Sequence, residues 1–220
     1  MYSYVMARPR GYKERTKEVS HRLKKLYPEV ACALDHKNAY ELLVATILSA
    51  QCTDVRVNIV TPAFFKKYPT PQKLAKANID HVQELIRSTG FYRNKAKNLI
   101  AMAQMVIASF DGEIPTARED LVKLPGTGRK TANVIRAEAF NLPGLPVDTH
   151  VTRLSNRLKL VNETDAVKIE FELMPLLPEE EWGDFSLRLI EHGRKICDAR
   201  KPKCDQCVLN DICPSAFKLG

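Results

Sequence analysis

Four cysteines near the C-terminus, Cys197, Cys204, Cys207 and Cys213, constrain this chain more than any other feature. They are spaced C-x6-C-x2-C-x5-C. Four thiolates in so short a span converge on one metal centre. A zinc site is the structural alternative, since four-cysteine zinc sites also use short spacings. A six-residue first gap and a five-residue last gap are unusual for zinc. Between the first two cysteines, Arg200, Lys201 and Lys203 lie on a loop pinned at both ends. A loop so held presents cations to phosphates at reduced entropic cost.

The remaining two cysteines, Cys32 and Cys52, sit in apolar stretches and are expected to be buried, inert thiols. A disulfide framework is not expected. The opening residues MYSYVMARPR lack the apolar centre of a secretory signal. The longest apolar stretch, Leu42 to Ala50, is too short to span a membrane. The reading is an intracellular protein without a membrane segment, in which thiols stay reduced. The formal net charge of +8 over 220 residues favours an anionic partner, because Lys and Arg displace counterions from phosphates.

The apolar pattern is helical nearly throughout, so the fold class is all-α, about ten short helices joined by brief turns. Ala96, Leu99, Ile100, Ala103, Val106, Ile107 and Phe110 follow the helical repeat, as do Val151, Leu154, Leu158 and Val161. Thr70 before Pro71 reads as an N-cap and first helical residue. Thr116 with Glu119 fits a capping box. The basic first dozen residues lack periodicity and read as a disordered arm. Asn141-Leu-Pro-Gly-Leu-Pro-Val147 is the expected crossing between two helical lobes.

Two further segments carry chemistry. In Leu124-Pro-Gly-Thr-Gly-Arg-Lys-Thr-Ala132, Gly126 and Gly128 permit a tight hairpin around Thr127 and leave amides uncovered where a helix begins. Such amides bind anions. Lys130 falls in the first turn of that helix, where the positive dipole end favours a neutral amine and hence a nucleophile. A phosphate-binding lysine would occupy the same place. In Val147-Asp-Thr-His-Val151, Asp148 precedes a helix and reads both as its N-cap and as a carboxylate that stabilises positive charge on a sugar.

The cysteine spacing, LPGTGRKTA, VDTHV and Leu48-Ser-Ala-Gln-Cys-Thr-Asp54 occur in the order found in the endonuclease III family, which this chain resembles from about Tyr40 to Pro214. LPGTGRKTA resembles the helix-hairpin-helix motif, which grips a DNA phosphate without reading sequence. The resemblance implies a 4Fe-4S cluster on the four cysteines. It implies a six-helix domain (32–142) and a cluster domain made from both chain ends (1–31 and 143–220), with a DNA-binding cleft between the lobes. It implies a bifunctional DNA glycosylase and AP lyase that flips a damaged base out of the stack. Lys130 would be the nucleophile and Asp148 the essential carboxylate. Gln51 would fill the gap left by the base. Phe91 would be the wedge, where well-known members carry Leu, which puts opposite-base preference in doubt. Asp54 and His150 are pocket-rim candidates, and a structural role for His150 fits as well. Oxidised pyrimidines are the implied lesions and double-stranded DNA with damaged bases or abasic sites the implied partner. The protein is expected to act as a monomer, in the nucleoid if bacterial.

Two alternatives stand beside this reading. A monofunctional glycosylase of the same superfamily lacks a lysine at position 130, places a catalytic Glu where Thr46 stands, and usually has a further C-terminal domain not expected here. A non-catalytic DNA-binding module would use the hairpin and cluster as scaffold, but would have no need of Lys130 together with Asp148.

Overall fold

A computed structural model describes residues 11–218, and the basic arm predicted for the N-terminus lies largely outside them. Among the described residues the chain is helical and has no strand. It divides into two compact units. One is continuous, Cys32–Leu142; the other takes the chain through Ala31 and resumes at Pro143.

The second unit contributes the first helix, α1 (Tyr12–Leu26). The continuous unit holds α2 (Ala39–Ser49), α3 (Asp54–Lys67), α4 (Pro71–Ala75), α5 (Ile79–Ile86), α6 (Tyr92–Phe110), α7 (Arg118–Leu121) and α8 (Arg129–Phe140). Its centre is α2, where every residue from Tyr40 to Leu48 is buried. A helix apolar on all sides must be enclosed, and α2 packs against α3, α6 and α8. Local chemistry starts it there. Asn38 Oδ1 accepts from Glu41 N–H and Glu41 Oε2 accepts from Lys37 N–H, a reciprocal cap at 2.9 and 2.8 Å. The expected cap at Thr70 is present, accepting from Lys73 N–H with Pro71 next in line.

The discontinuous unit pairs α1 with α9 (Thr149–Arg157), α10 (Ala166–Leu173) and α11 (Trp182–Lys195). Val19 and Leu23 of α1 join Val151, Leu154, Phe185 and Leu189 in one core. The segment entering this unit is anchored before any helix begins: Leu145 and Val147 are buried and Ser186 Oγ donates to Pro146 O.

Three expectations need correction. Thr116 does not cap α7. That helix starts after Ala117 with no side-chain cap, and Thr116 O instead accepts from Arg136. The Val151–Val161 pattern outlasts its helix. Lys159 takes a left-handed φ of 53°, and the amides of Leu160 and Val161 turn back to Ser155 O. Both Leu158 and Val161 stay buried, so core contact continues without helical geometry. Cys32 and Cys52 are half-buried at the edge of the core rather than enclosed in it. Burial nonetheless pushes the Cys32 thiol up, which keeps it protonated and unreactive.

Candidate functional site

In the continuous unit, the turn between α7 and α8 presents a bare helix end. Gly126 sits at φ 83°, in the left-handed region. A Cβ there would also meet Asn98 Cβ at 3.1 Å, so conformation favours glycine and the space around it is tight. Gly128 differs. Its backbone is extended and a Cβ would meet nothing within 4 Å. The fold does not need glycine at 128, and its absent side chain instead leaves the start of α8 uncovered. No side chain caps α8, so its first amides remain available to an anion. Thr127 between the glycines is buried, its N–H closing the turn on Leu124 O. Lys130 is exposed in the first turn. The opposite face of α8, Ala132 and Ile135, is fully buried, which fixes the direction in which that first turn faces.

Two other loops of this unit carry sequence candidates. Gln51 (φ 52°) follows α2 and Phe91 (φ 47°) precedes α6. Both are non-glycine residues in the left-handed region, a conformation that costs roughly 1–2 kcal/mol. Both are exposed, Phe91 to 63%. Strain at exposed residues persists only where the surroundings impose it. Asp54 begins α3, whose cap is Thr53.

In the discontinuous unit, Asp148 is half-buried and caps α9, accepting from Val151 N–H at 2.8 Å. The buried Val147 before it and the cap after it hold the carboxylate rigidly. His150 packs on α11: a Cβ at Gly193 would stand 2.7 Å from its Nδ1. That nitrogen lies 3.0 Å from Arg153 Nη2. Burial lowers the affinity of the imidazole for a proton, against the opposing influence of Asp148. These contacts give His150 a packing role.

The four C-terminal cysteines line one cavity with Leu154, Arg157, His192 and Leu209. Burial pushes the Cys207 thiol up to about 11, helped by Cys197, Cys213 and Cys204. Four thiols lining one cavity are the donor set of a cationic centre that takes them as thiolates. Further polar contacts converge there. Arg157 Nη1 lies 3.3 Å from Cys197 Sγ and His192 Nε2 lies 3.2 Å from Cys207 Sγ. The residues present therefore fit an iron–sulfur cluster. Arg157 and His192 escaped the sequence analysis, because neither falls in the cysteine motif.

The loop after Cys197 is fastened by two side chains that bond its backbone, Arg157 and Asp198. Arg157 donates to Asp198 O and Ala199 O at 2.6 and 2.7 Å. Asp198 Oδ1 accepts from the N–H groups of Arg200 and Lys201. The side chains of Arg200, Lys201 and Lys203 stay exposed.

Comparison with known proteins yields a consistent set. The model of the HhH-GPD superfamily base excision DNA repair protein matches residues 44–179. That of the iron-sulfur binding domain of endonuclease III matches residues 197–213. Endonuclease III of Synechocystis sp. is 51% identical over 215 residues, covering 97% of this chain and 98% of that protein. Among solved structures, a non-covalent endonuclease III–DNA complex superimposes with a TM-score of 0.90 at 42% identity, covering 94% of this chain and 97% of that one. A trapped endonuclease III–DNA covalent intermediate matches with the same values. No helix among the described residues is long and apolar enough to cross a membrane.

Proposed function

This chain belongs to the endonuclease III family of the HhH-GPD base-excision DNA-repair superfamily, and from that membership we propose that it excises oxidised pyrimidines from double-stranded DNA with Lys130 as nucleophile and Asp148 as essential carboxylate. It is a DNA glycosylase and AP lyase that carries a 4Fe-4S cluster. The observation that carries the residue assignment is the exposed amine of Lys130 on an uncapped helix start, beside amides suited to a phosphate.

The Lys130 Nζ lone pair forms a bond to C1′ as the glycosidic bond breaks; the base leaves with the electron pair of the glycosidic bond and is protonated, while the new ammonium nitrogen sheds a proton. The sugar ring opens to give a Schiff base. Loss of a C2′ proton then expels the 3′ phosphate, a β-elimination, and water releases the lysine. Asp148 stabilises the positive charge that develops on the sugar. An amine is required, because a hydroxyl or amide cannot form the Schiff base. Gly126, Thr127 and Gly128 grip a phosphate through the bare start of α8. Gln51 fills the space of the extruded base and Phe91 wedges between its neighbours. Asp54 stands at the pocket rim, and His150 supports the Asp148 segment through α11.

Cys197, Cys204, Cys207 and Cys213 hold the cluster, which supplies cross-linking to the fold. Arg200, Lys201 and Lys203 present cations to the backbone phosphates. The protein acts as a monomer and, if its source is bacterial, at the nucleoid.

The test is Lys130→Gln, which keeps a similar length and removes the nucleophile. It should bind abasic DNA while borohydride trapping and strand cleavage fall by about a thousandfold or more. Trapping at the wild-type rate would identify another amine as the nucleophile.

A further inference from the structure

Lys95 lies in the first turn of α6, and 5% of it is exposed. Nothing in the reaction as described uses it. Its Nζ donates to Leu48 O and to Thr89 O, both at 2.8 Å. A buried ammonium is costly unless the charge is matched, and burial does lower its proton affinity, with Cys52 opposing. The match comes from helix ends. Leu48 O belongs to the last turn of α2, and the Cys52 N–H that would continue the ladder bonds to Ser49 O instead. Thr89 closes the 3-10 turn Arg87–Thr89. Carbonyls at such ends carry partial negative charge and want a donor.

The two carbonyls are the roots of the two loops that bear Gln51 and Phe91. Gln51 lies three residues beyond Leu48 and Phe91 two beyond Thr89. Lys95 is tied to the second loop again through its own N–H, which donates to Phe91 O at 3.1 Å. Both loop tips are left-handed at residues that are not glycine, so something must impose their geometry. A single side chain that reaches both roots is placed to do so.

We propose that Lys95 is a positioning residue that sets the gap-filling Gln51 and the wedge Phe91 in mutual register, so that extrusion of a paired base depends on its buried ammonium. The inference rests on the roles proposed for those two residues. A paired lesion must be unstacked before Lys130 reaches C1′, whereas a preformed abasic site has no base to extrude. Loss of register therefore weighs on excision more than on abasic cleavage.

The test compares Lys95→Met with wild type, using full-length protein with its cluster and two duplexes, one with an oxidised pyrimidine and one with an abasic site. Circular dichroism and thermal melting verify the folded fraction. Excision per folded molecule should fall at least about tenfold further than abasic cleavage. Adding Gln51→Ala should cost much less in the Lys95→Met background than in wild type, since the side chain is already out of register. Equal losses on both duplexes, or an undiminished cost of Gln51→Ala, would overturn the proposal. If Lys95→Met does not fold, Lys95→Gln keeps a donor, and the same unequal loss is expected from it; a folded Gln variant without that inequality overturns the proposal too. Failure of the roles proposed for Gln51 and Phe91 would look different, because Gln51→Ala would then cost wild type itself nothing in excision.

Discussion

The two units hold their functional loops by different physics. The continuous unit builds on a helix enclosed on all sides, and its exposed loops hang from that core. In the discontinuous unit the packed core runs through α9 and α11, but after Leu189 its one fully buried apolar side chain among the described residues is Leu209, with Ile190, Ile212 and three of the cysteines only partly buried against it. The chain from Cys197 onward is instead held by thiols on one cavity and by Arg157 on loop carbonyls. Apolar burial contributes about 25 cal/mol per Å2 without needing a cofactor, whereas a cysteine-lined segment with so little apolar burial depends on the centre that its thiols bind. One unit stands on packing throughout; the other packs its helices, while its segment from Cys197 onward is expected to lean on the cluster.

That contrast can be broken most severely by removing iron. Chelation, or Cys204→Ala, should abolish amide-exchange protection in the cluster segment and lower folding yield, while α2 and α6 stay protected. Uniform loss of protection across both units would dissolve the distinction. Iron and sulfide should be found near four each per intact chain.

A smaller effect, on activity alone, is expected at Asp148. Asp148→Asn keeps an oxygen for the Val151 N–H, so the melting temperature should move by little while base excision falls about a hundredfold. A large loss of stability with activity per folded molecule intact would return Asp148 to the role of a cap.

The hairpin glycines divide along the same line within the continuous unit. Gly126→Ala meets both a left-handed φ and the Asn98 side chain, and should destabilise the fold by about 1–2 kcal/mol. Gly128→Ala meets no protein atom, so stability should hold while DNA affinity drops several-fold for all sequences alike and the salt slope changes little. Equal melting temperatures for the two variants would contradict the assignment. The smallest effect is expected on the cluster loop. Lys201→Ala and Lys203→Ala should each shallow the salt dependence by about one unit per lost phosphate contact, read by titrating binding against salt.

Much of the local structure was legible because its causes are local. Asp148 caps α9 and Thr70 caps α4 because a short side-chain oxygen reaches an amide three residues on. The start of α8 follows the glycine turn at Gly126 and Gly128, which is local too although no side chain caps that helix. Thr116 departs from expectation because α7 starts one residue later, after Ala117, so the Thr–Glu spacing no longer spans the helix start. The stop of α9 was hidden because Leu158 and Val161 are apolar for the core, whatever backbone carries them.

The sequence by itself determined helix class, the identity of the thiol donors and the amine and carboxylate available for chemistry, since these follow from periodicity, spacing and residue type. Tertiary structure alone decided that Lys95 bridges Leu48 and Thr89, that Arg157 and His192 attend the cysteines, and that Gly126 but not Gly128 is demanded by the fold. Those contacts join residues far apart in the chain. Nothing in the spacing of a lysine 47 residues from a carbonyl records that they will meet; only the burial of α2 brings the end of that helix to the side chain that completes it.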